Sequence, residues 1–484
     1  MQKFCASVKN IHEHENVIAF GSSNTGQFLI WCLASLLLSF KLGFSAVILS
    51  IAIASIQIAP SHRNKILAIG AVVAAYLLYF KQATFFSTNS HVIPAFSTIV
   101  LLACTYALYH IGKRYGSLPA LIRKNPLIFL HIAYFALIPV LALIGSDSGF
   151  FGKFLWVFTL ALPFFLWRWG YMLNTARRGK MAATKFVDHL LYVSPVFGGS
   201  NVPYGKGHEN LHKNAVIDRN EIARSQLAGL KLIILVWLYV GINELMMEFI
   251  YTQSSAHLSV FNAGIPRLSQ LVGAEGTMQA SGRFLAWASM FFELITQTLE
   301  LAIRGHLIIG CLRLFGINVF RNTYKPLLST SILEFWNRFY YYFKELMVEC
   351  FFFPAYLSFS QYSKKVRLFI ATFAAAFVGN LYYHFLIYMW DWISLPPDKL
   401  AQALLSRTMY TLLLACGIYI SQLRLENHRK RKFIGYGYPG VLRKIRAIGG
   451  VWLFFSCIHI YNLHVEDVSF LQRSGFLLWL FGVQ

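Results

Sequence analysis

A dense block of polar and aromatic residues interrupts an apolar helical pattern in the second half of the chain. Residues 324–345 combine phenylalanine, tyrosine and tryptophan with six charged or amide side chains: Lys325, Glu334, Asn337, Arg338, Lys344 and Glu345. Lipid cannot satisfy so many polar groups. A single histidine, His384, then lies inside the next apolar run, 368–390. Because ionisable groups at membrane depth are expensive, the block and the histidine together indicate a functional site.

The neighbours of His384 suit a histidine that handles protons. Tyr382, Tyr383, Phe385 and Leu386 flank it. Desolvation in such surroundings disfavours the charged imidazolium. A neutral imidazole can accept a proton, as a general base must. The alternative is a structural histidine that is bonded to a tyrosine hydroxyl or to a backbone carbonyl.

The polar block itself predicts a helix or a broken helix. With the helical period, Trp336, Tyr340 and Phe343 fall on one face. Other polar residues stand beside that face: Asn337, Tyr341, Lys344 and Glu345. Such a helix lies at the membrane interface as part of an aromatic belt, or it lines a cavity. We expect residues 324–345 not to cross the bilayer but to pack, as a helix or a broken helix, against the span that holds His384.

Composition places the whole chain in the membrane class. It has 484 residues, of which 57% are hydrophobic and 13% charged, whereas soluble domains carry about 25% charged residues. We predict an all-α polytopic membrane protein with about 11 spans plus re-entrant or interfacial helices, since ~20 apolar residues cross a bilayer. The apolar runs are 28–40, 44–59, 66–80, 93–110, 126–144, 153–169, 228–251, 284–303, 368–390, 406–422 and 448–463.

The placement of basic residues predicts an orientation. The net charge is +23, and lysines and arginines collect in the segments 61–65, 111–124, 171–226, 364–367 and 423–447. The alternate loops are poor in them: 81–92, 145–152, 391–405 and 464–473. This is the positive-inside pattern, so we expect a multi-pass protein of the cell inner (cytoplasmic) membrane with a cytoplasmic N-terminus. Basic clusters beside spans are explained by topology and anionic lipid, and we expect no nucleic-acid partner.

The chain reads as a single membrane domain, 1–484, with three parts. Residues 1–170 carry the N-terminal spans, 171–227 form a cytoplasmic loop, and 228–484 hold the spans around the polar block. We detect no cleavable signal in residues 1–27. The seven cysteines are scattered singly, without metal-ligand spacing, so no metal site is expected.

The polar block and His384 resemble the membrane-bound O-acyltransferase family, in particular its bacterial members of alginate O-acetylation and teichoic acid D-alanylation. Those members carry a stretch similar to N-F-x-x-P-Y-x-A-x-S-I-x-E-F-W-R-R-W-H and, further on, S-G-L-W-H-G. The residues here that align in step with the first stretch are Pro326, Ser329, Ser331, Ile332, Glu334, Phe335, Trp336 and Arg338. The resemblance covers roughly 186–465 and is most specific over 321–384.

The departures from the family pattern are also specific. Tyr340 stands where the family has its first histidine, and Asn337 stands where it has an arginine. Asn380 and Leu381 replace the small-residue turn before the second histidine. His384 matches the catalytic histidine of the family. The chain therefore resembles a divergent bacterial member.

The resemblance implies an acyl transfer with no tightly bound cofactor. Acyl-CoA or an acyl carrier protein thioester would serve as co-substrate from the cytoplasmic side, and a hydroxyl of a polysaccharide, lipid or small molecule would accept the acyl group. His384 would be the general base, and Asn337 or the Tyr340 hydroxyl would donate to the developing oxyanion. The resemblance also implies contact with membrane lipid and an extracytoplasmic acyltransferase partner.

The resemblance also implies that a second set of residues binds the substrate. Arg338 and Lys344, with the basic loop 364–367, would attract the phosphates of coenzyme A or an acidic carrier protein. Glu345 and Trp336 complete this set. Positive-inside topology explains the basic loop equally well.

Two other classes stay open on the sequence. A transporter or flippase also needs polar residues at membrane depth, although it often shows paired repeats, which we do not detect here. A catalytically inactive relative that serves as an assembly scaffold would explain the loss of the first family histidine.

Overall fold

The computed structural model describes residues 11–85, 91–145, 149–251, 263–273, 275–389, 391, 395–432, 440–463 and 468–483. Within these ranges the chain is helical, and strand pairing amounts to two isolated bridges, Ala215–Ile317 and Tyr251–Ile265. The all-α class is therefore confirmed.

We number the α-helices in chain order. The first eleven are α1 Glu15–Ser22, α2 Asn24–Leu42, α3 Ser45–Ile58, α4 Arg63–Phe85, α5 Val92–Lys113, α6 Ala120–Lys124, α7 Pro126–Ile144, α8 Gly149–Arg177, α9 Phe186–Val193, α10 His208–Lys213 and α11 Arg219–Phe249. The others are α12 Leu268–Gly273, α13 Glu275–Leu314, α14 Ile332–Phe339, α15 Tyr341–Met347, α16 Phe353–Ser358, α17 Lys364–Phe373, α18 Asn380–Ile387, α19 Pro397–Lys432, α20 Val441–His459 and α21 Phe470–Leu480.

Eight helical segments among the described residues are long and apolar enough to cross a membrane. They are α2, α4, α5, α7, α8, α11, the continuous segment Lys364–Ile387 that contains α17 and α18, and α19. The run at 44–59 forms α3, which has only 14 residues. The runs at 284–303 and 448–463 lie in α13 and α20, which are not among the eight. The membrane class is confirmed, and the count of about 11 spans stays a prediction.

The chain forms two compact units. The first comprises Met1–Ile234 and His306–Phe320, and the second comprises Leu235–Gly305 and Arg321–Gln484. In the first unit, Tyr79 of α4 is fully buried, and its ring lies 6.0 Å from that of Phe158 and 6.1 Å from that of Phe165, both on α8. Aromatic packing therefore joins these two helices.

A buried arginine holds the loop that follows α9. Arg168 on α8 is 1% exposed, and its guanidinium carbon lies 3.9 Å from the centre of the Phe164 ring. It donates a 3.0 Å hydrogen bond to the carbonyl of Ser200. A Cβ at Gly199 would lie 2.9 Å from the same guanidinium, so the close approach of the loop requires glycine there.

In the second unit, local hydrogen bonds explain why the polar block breaks into two helices. The Ser331 hydroxyl caps α14 by accepting from the backbone N–H of Glu334 at 3.1 Å. Tyr340 leaves the helical conformation at φ −138°, ψ 78°, and α15 begins at the next residue. Residues 322–324 satisfy the groups freed at the break, since the Thr323 hydroxyl donates to the carbonyl of Phe339 at 2.9 Å.

Two π-helical segments lie on either side of this region. Val348–Phe352 continues α15, and Ala374–Gly379 joins α17 to α18. They approach closely, since a Cβ at Gly379 would lie 2.7 Å from the Phe351 ring. Single-turn π segments inside helices are frequent at functional sites. The second one directly precedes the helix that carries His384.

Parts of the sequence predictions fall outside the described residues. The sequence also predicts that the Ser-, Gly- and Ala-rich loop 252–283 is extracytoplasmic; its residues 252–262 and 274 lie outside the described ranges, as do residues 433–439 of the basic segment 423–447.

Candidate functional site

The site is built on an aromatic cluster around Phe343 of α15. The rings of Trp336 and Phe343 meet edge to face at 5.8 Å, and the Tyr340 ring lies 5.5 Å from that of Phe343. The predicted face of Trp336, Tyr340 and Phe343 is thus confirmed, although the helix breaks at Tyr340 between its members.

Phe343 joins this cluster to the span that carries His384. Its ring lies 4.8 Å from that of Tyr383 and 6.5 Å from that of His384. Because the Tyr340 ring is 5.5 Å from Phe343, the Tyr340 and His384 rings lie within about 12 Å, the sum of the two distances. The expectation that the block packs as a broken helix against the span of His384 is confirmed.

His384 is half-buried near the end of α18. The ring of Tyr388 lies 6.0 Å away and nearly parallel to it, with an interplanar angle of 1°. Phe343 and Tyr388 therefore both contribute to an aromatic setting for the imidazole, in agreement with the apolar flanks in the sequence.

Asn380 is the polar residue that sequence reasoning did not select. It lies at the start of α18, one turn before His384, and is 1% exposed. Neither its amide nitrogen nor its amide oxygen has a hydrogen-bond partner among the described residues. Leaving a buried donor or acceptor unsatisfied costs about 1–3 kcal/mol. A substrate that bonded this amide would remove that cost.

The spacing of Asn380 and His384 puts them on one side of α18, because residues i and i+4 are neighbours on a helix. The signal for Asn380 was present in the sequence as an amide inside an apolar run. It was read only as a departure from the family pattern, so the prediction missed it.

The two predicted oxyanion donors, Tyr340 and Asn337, lie in different environments. Tyr340 is half-buried within the aromatic cluster that reaches His384. Asn337 is exposed on α14, between the buried Trp336 and the half-buried Arg338. Of the two, Tyr340 is the one that the cluster connects to His384.

Four of the five charged residues of the block form two ion pairs. A nitrogen of Arg338 lies 2.6 Å from a carboxylate oxygen of Glu334, at the i, i+4 spacing. Lys344 pairs with Glu345, and its ammonium nitrogen lies 4.6 Å from the centre of the Tyr341 ring. Because each cation has a carboxylate beside it, its attraction for a phosphate is partly offset.

Metal chemistry has no visible support in the described part of the chain, where no group of three or more His, Cys, Asp or Glu side chains is placed to hold a metal ion.

No protein-family model matches this chain, and no curated protein matches it significantly. The resemblance to the membrane-bound O-acyltransferases therefore rests on the motif residues alone.

Proposed function

We propose that this protein is a membrane-embedded O-acyltransferase of the kind that its motif residues resemble. It moves an acyl group from a thioester donor, acyl-CoA or an acyl carrier protein, to a hydroxyl of a polysaccharide, lipid or small molecule. In this proposal it resides in the cell inner membrane with its N-terminus in the cytoplasm, in contact with membrane lipid and with an extracytoplasmic acyltransferase partner.

The proposal rests on the placement of His384 one helical turn after the buried Asn380, on one side of α18. An imidazole that is held among aromatic rings can take a proton. A buried amide without a partner can donate to an oxygen atom that becomes negatively charged during the reaction. Acyl transfer to a hydroxyl needs both functions at neighbouring positions.

The reaction then proceeds in two steps on these residues. His384 removes the proton of the acceptor hydroxyl as its oxygen attacks the thioester carbonyl, and the amide N–H of Asn380 donates to the resulting oxyanion. The tetrahedral intermediate collapses with cleavage of the carbon–sulfur bond. The thiolate leaves and takes the proton from the imidazolium, so that an ester and a free thiol are the products.

The remaining residues of the block have supporting roles in this proposal. Trp336 and Tyr340 border the acyl group, with the Tyr340 hydroxyl as a second donor, and Asn337 stays the alternative donor predicted from the sequence. Arg338 and Lys344, each next to a carboxylate, bind the donor weakly at the entrance, where Glu345 positions the Lys344 ammonium.

Release of free thiol by the purified full-length protein in lipid nanodiscs tests the proposal. Acetyl-CoA and palmitoyl-CoA serve as donors, water takes the place of the acceptor hydroxyl so that the products are a carboxylic acid and free thiol, and the thiol is measured with a chromogenic disulfide. We expect His384→Ala to lower turnover by about 10²–10⁴-fold, as for loss of a positioned acid–base group. Asn380→Ala should lower it by about 10²–10³-fold, as for loss of one oxyanion donor.

His131→Ala is the matched control. Like His384, His131 lies in a helix that can span the membrane; it is buried, and its Nδ1 lies 2.8 Å from the carbonyl of Leu127. We expect this variant to lose stability but to keep the turnover of the folded fraction. Undiminished thiol release by His384→Ala would contradict the proposal. A wild-type protein that releases no thiol from either donor would favour the scaffold or transporter classes.

A further inference from the structure

A buried cation lies close to His384, on the span that follows it in the chain. Arg407 belongs to α19 and is 7% exposed. A guanidinium always carries its charge in proteins. Burial of a charge at membrane depth is expensive unless another group compensates it, so the environment of Arg407 decides what this residue does.

The contacts of Arg407 are with neutral groups. Its Nη1 donates to the side-chain oxygen of Asn462, and its guanidinium carbon lies 5.7 Å from the centre of the Tyr388 ring. Within the described ranges, no carboxylate forms a salt bridge with it. A guanidinium has five N–H donors. Among the described residues, the bond to Asn462 leaves most of these donors without a hydrogen-bond acceptor, and no carboxylate there balances the positive charge.

Another arginine increases the positive potential around this position. Arg473 is 4% exposed and donates a 2.7 Å hydrogen bond to the carbonyl of Ile460, next to the loop that holds Asn462. Burial and, to a smaller extent, the charge of Arg407 together lower the pKa of Arg473 to about 10. The two guanidinium groups therefore repel each other, and a bound anion would relieve that repulsion.

Tyr388 relates Arg407 to the proposed catalytic residue. The ring of Tyr388 is parallel to the His384 ring, and their centres are 6.0 Å apart. The Arg407 guanidinium lies 5.7 Å from the same ring, so guanidinium and imidazole are within about 12 Å, the sum of the two distances. A single acceptor molecule can therefore reach both residues.

We propose that Arg407 binds an oxyanion group, a carboxylate or a phosphate, that the acceptor carries a few bonds away from the hydroxyl that reaches His384. The planar guanidinium fits both groups through paired N–H donors. The proposal rests on the proposed acyl transfer for the role of His384. It narrows the acceptor to an anionic hydroxyl compound, such as a sugar acid, a phosphate ester or the head group of an anionic lipid.

Thermal unfolding of the full-length protein, followed by intrinsic fluorescence, tests the anion site without any acyl transfer. In phosphatidylcholine nanodiscs, we expect inorganic phosphate or acetate to raise the Tm of the wild type relative to chloride at equal ionic strength. Arg407→Met should raise the anion concentration that is needed for the same rise in Tm by about tenfold or more, since hydrogen bonds to charged groups contribute about 1.5–3 kcal/mol. Arg407→Lys should keep part of it, because the charge remains.

A second readout keeps the test informative if Arg407 only holds the fold together. With no anion present, we expect Arg407→Met to unfold at a higher Tm than the wild type, because it removes an uncompensated buried charge. Arg443→Gln, which removes an exposed arginine of α20, is the control and should respond to phosphate as the wild type does. A lower Tm for Arg407→Met together with an unchanged phosphate response would overturn the proposal.

The lipid arm separates the two sources of the anion. Nanodiscs that contain phosphatidylglycerol, without added phosphate, should raise the Tm of the wild type but not of Arg407→Met if a lipid head group is the acceptor. No change with phosphatidylglycerol but a response to phosphate or acetate supports a soluble acceptor. A wild type that responds to none of these overturns the proposal. His384→Ala should keep the anion response, so a failure of the acyl-transfer proposal and a failure of this one are distinguishable.

Discussion

Asn380 carries a side-chain amide into the interior of the second compact unit without giving it a partner among the described residues. Packing alone would favour leucine at this position in an apolar helix. Active-site residues often lower the stability of a protein, and the buried amide of Asn380 fits that pattern. The same reasoning applies to Arg407, whose charge is buried without a carboxylate partner in the described part of the chain.

This argument predicts that Asn380→Leu makes the protein more stable and less active. Leucine has about the same shape as asparagine and removes an unsatisfied amide, whose burial costs about 1–3 kcal/mol. We therefore expect a higher Tm than that of the wild type and a loss of thiol release comparable to that of Asn380→Ala. A lower Tm would mean that the amide stabilises the fold, and the oxyanion role would then lose its main support.

At the scale of elements, the contact between the two π-helical segments depends on one glycine. A Cβ at Gly379 would lie 2.7 Å from the Phe351 ring and 3.1 Å from the sulfur of Met347. Gly379→Ala should therefore destabilise the protein by about 1–3 kcal/mol, as overpacking does. Because α18 begins at the next residue, we also expect lower turnover at an unchanged thioester affinity.

Gly449→Ala is the matched control for that substitution. Gly449 lies inside α20, and a Cβ there would meet nothing within 4 Å. Alanine is favoured over glycine in a helix by about 1 kcal/mol, so a slightly raised Tm and normal turnover are expected. Equal effects of the two substitutions would show that helix propensity, and not the contact with Phe351, dominates at Gly379.

Helix α9 of the first unit gives the protein a predicted sensitivity to acid. The pKa of His189 is lowered from 6.5 to about 3, chiefly by burial and then by His208, whose ring centre lies 4.9 Å away, while Asp188 acts in the opposite direction. Burial also lowers the pKa of His208. In the unfolded chain these histidines bind protons more readily, so stability is full above pH 6.5 and falls as the pH drops towards 3.

His189→Gln should flatten this dependence. Glutamine does not titrate, and its amide can replace the 2.8 Å contact between the His189 Nε2 and the Thr184 hydroxyl. We expect the difference in Tm between neutral and mildly acidic buffer to shrink, whereas His62→Gln, at an exposed histidine, should leave it unchanged. An unaltered difference in His189→Gln would place the acid sensitivity elsewhere.

The elements of the site show what the sequence could predict and what it could not. The pairing of Glu334 with Arg338 and the shared face of Trp336 and Phe343 follow from helical spacing, which is a local property. The break at Tyr340 depends on hydrogen bonds from residues 322–324, and the missing partner of Asn380 depends on the packing of distant helices. Such features arise only in the folded chain, so periodicity cannot reveal them.

At the scale of the whole molecule, hydropathy and charge carry different information. Hydropathy identifies eight helical segments that can cross a membrane, within the part of the chain that is described. The apolar stretches in α3, α13 and α20 are not among the eight. Helix α3 has only 14 residues, and α13 and α20 carry charged residues within or beside their apolar stretches. The direction of insertion depends on the basic segments between the spans, which are a separate property of the sequence.

The distribution of lysine and arginine predicts that the segment around Lys180 is cytoplasmic and that Asp398, at the start of α19, faces the opposite side. Both positions are exposed in the structure, so a cysteine placed there can be labelled. In a background with the seven native cysteines replaced by serine, a membrane-impermeant maleimide should label Asp398→Cys in intact cells and Lys180→Cys only after permeabilisation. Labelling of both positions in intact cells would contradict the orientation. The result also bears on the chemistry, because His384 lies at the end of its span that leads towards Asp398. If that end is extracytoplasmic, the acceptor meets His384 from outside while the thioester has to be delivered from within, as the proposed transfer requires.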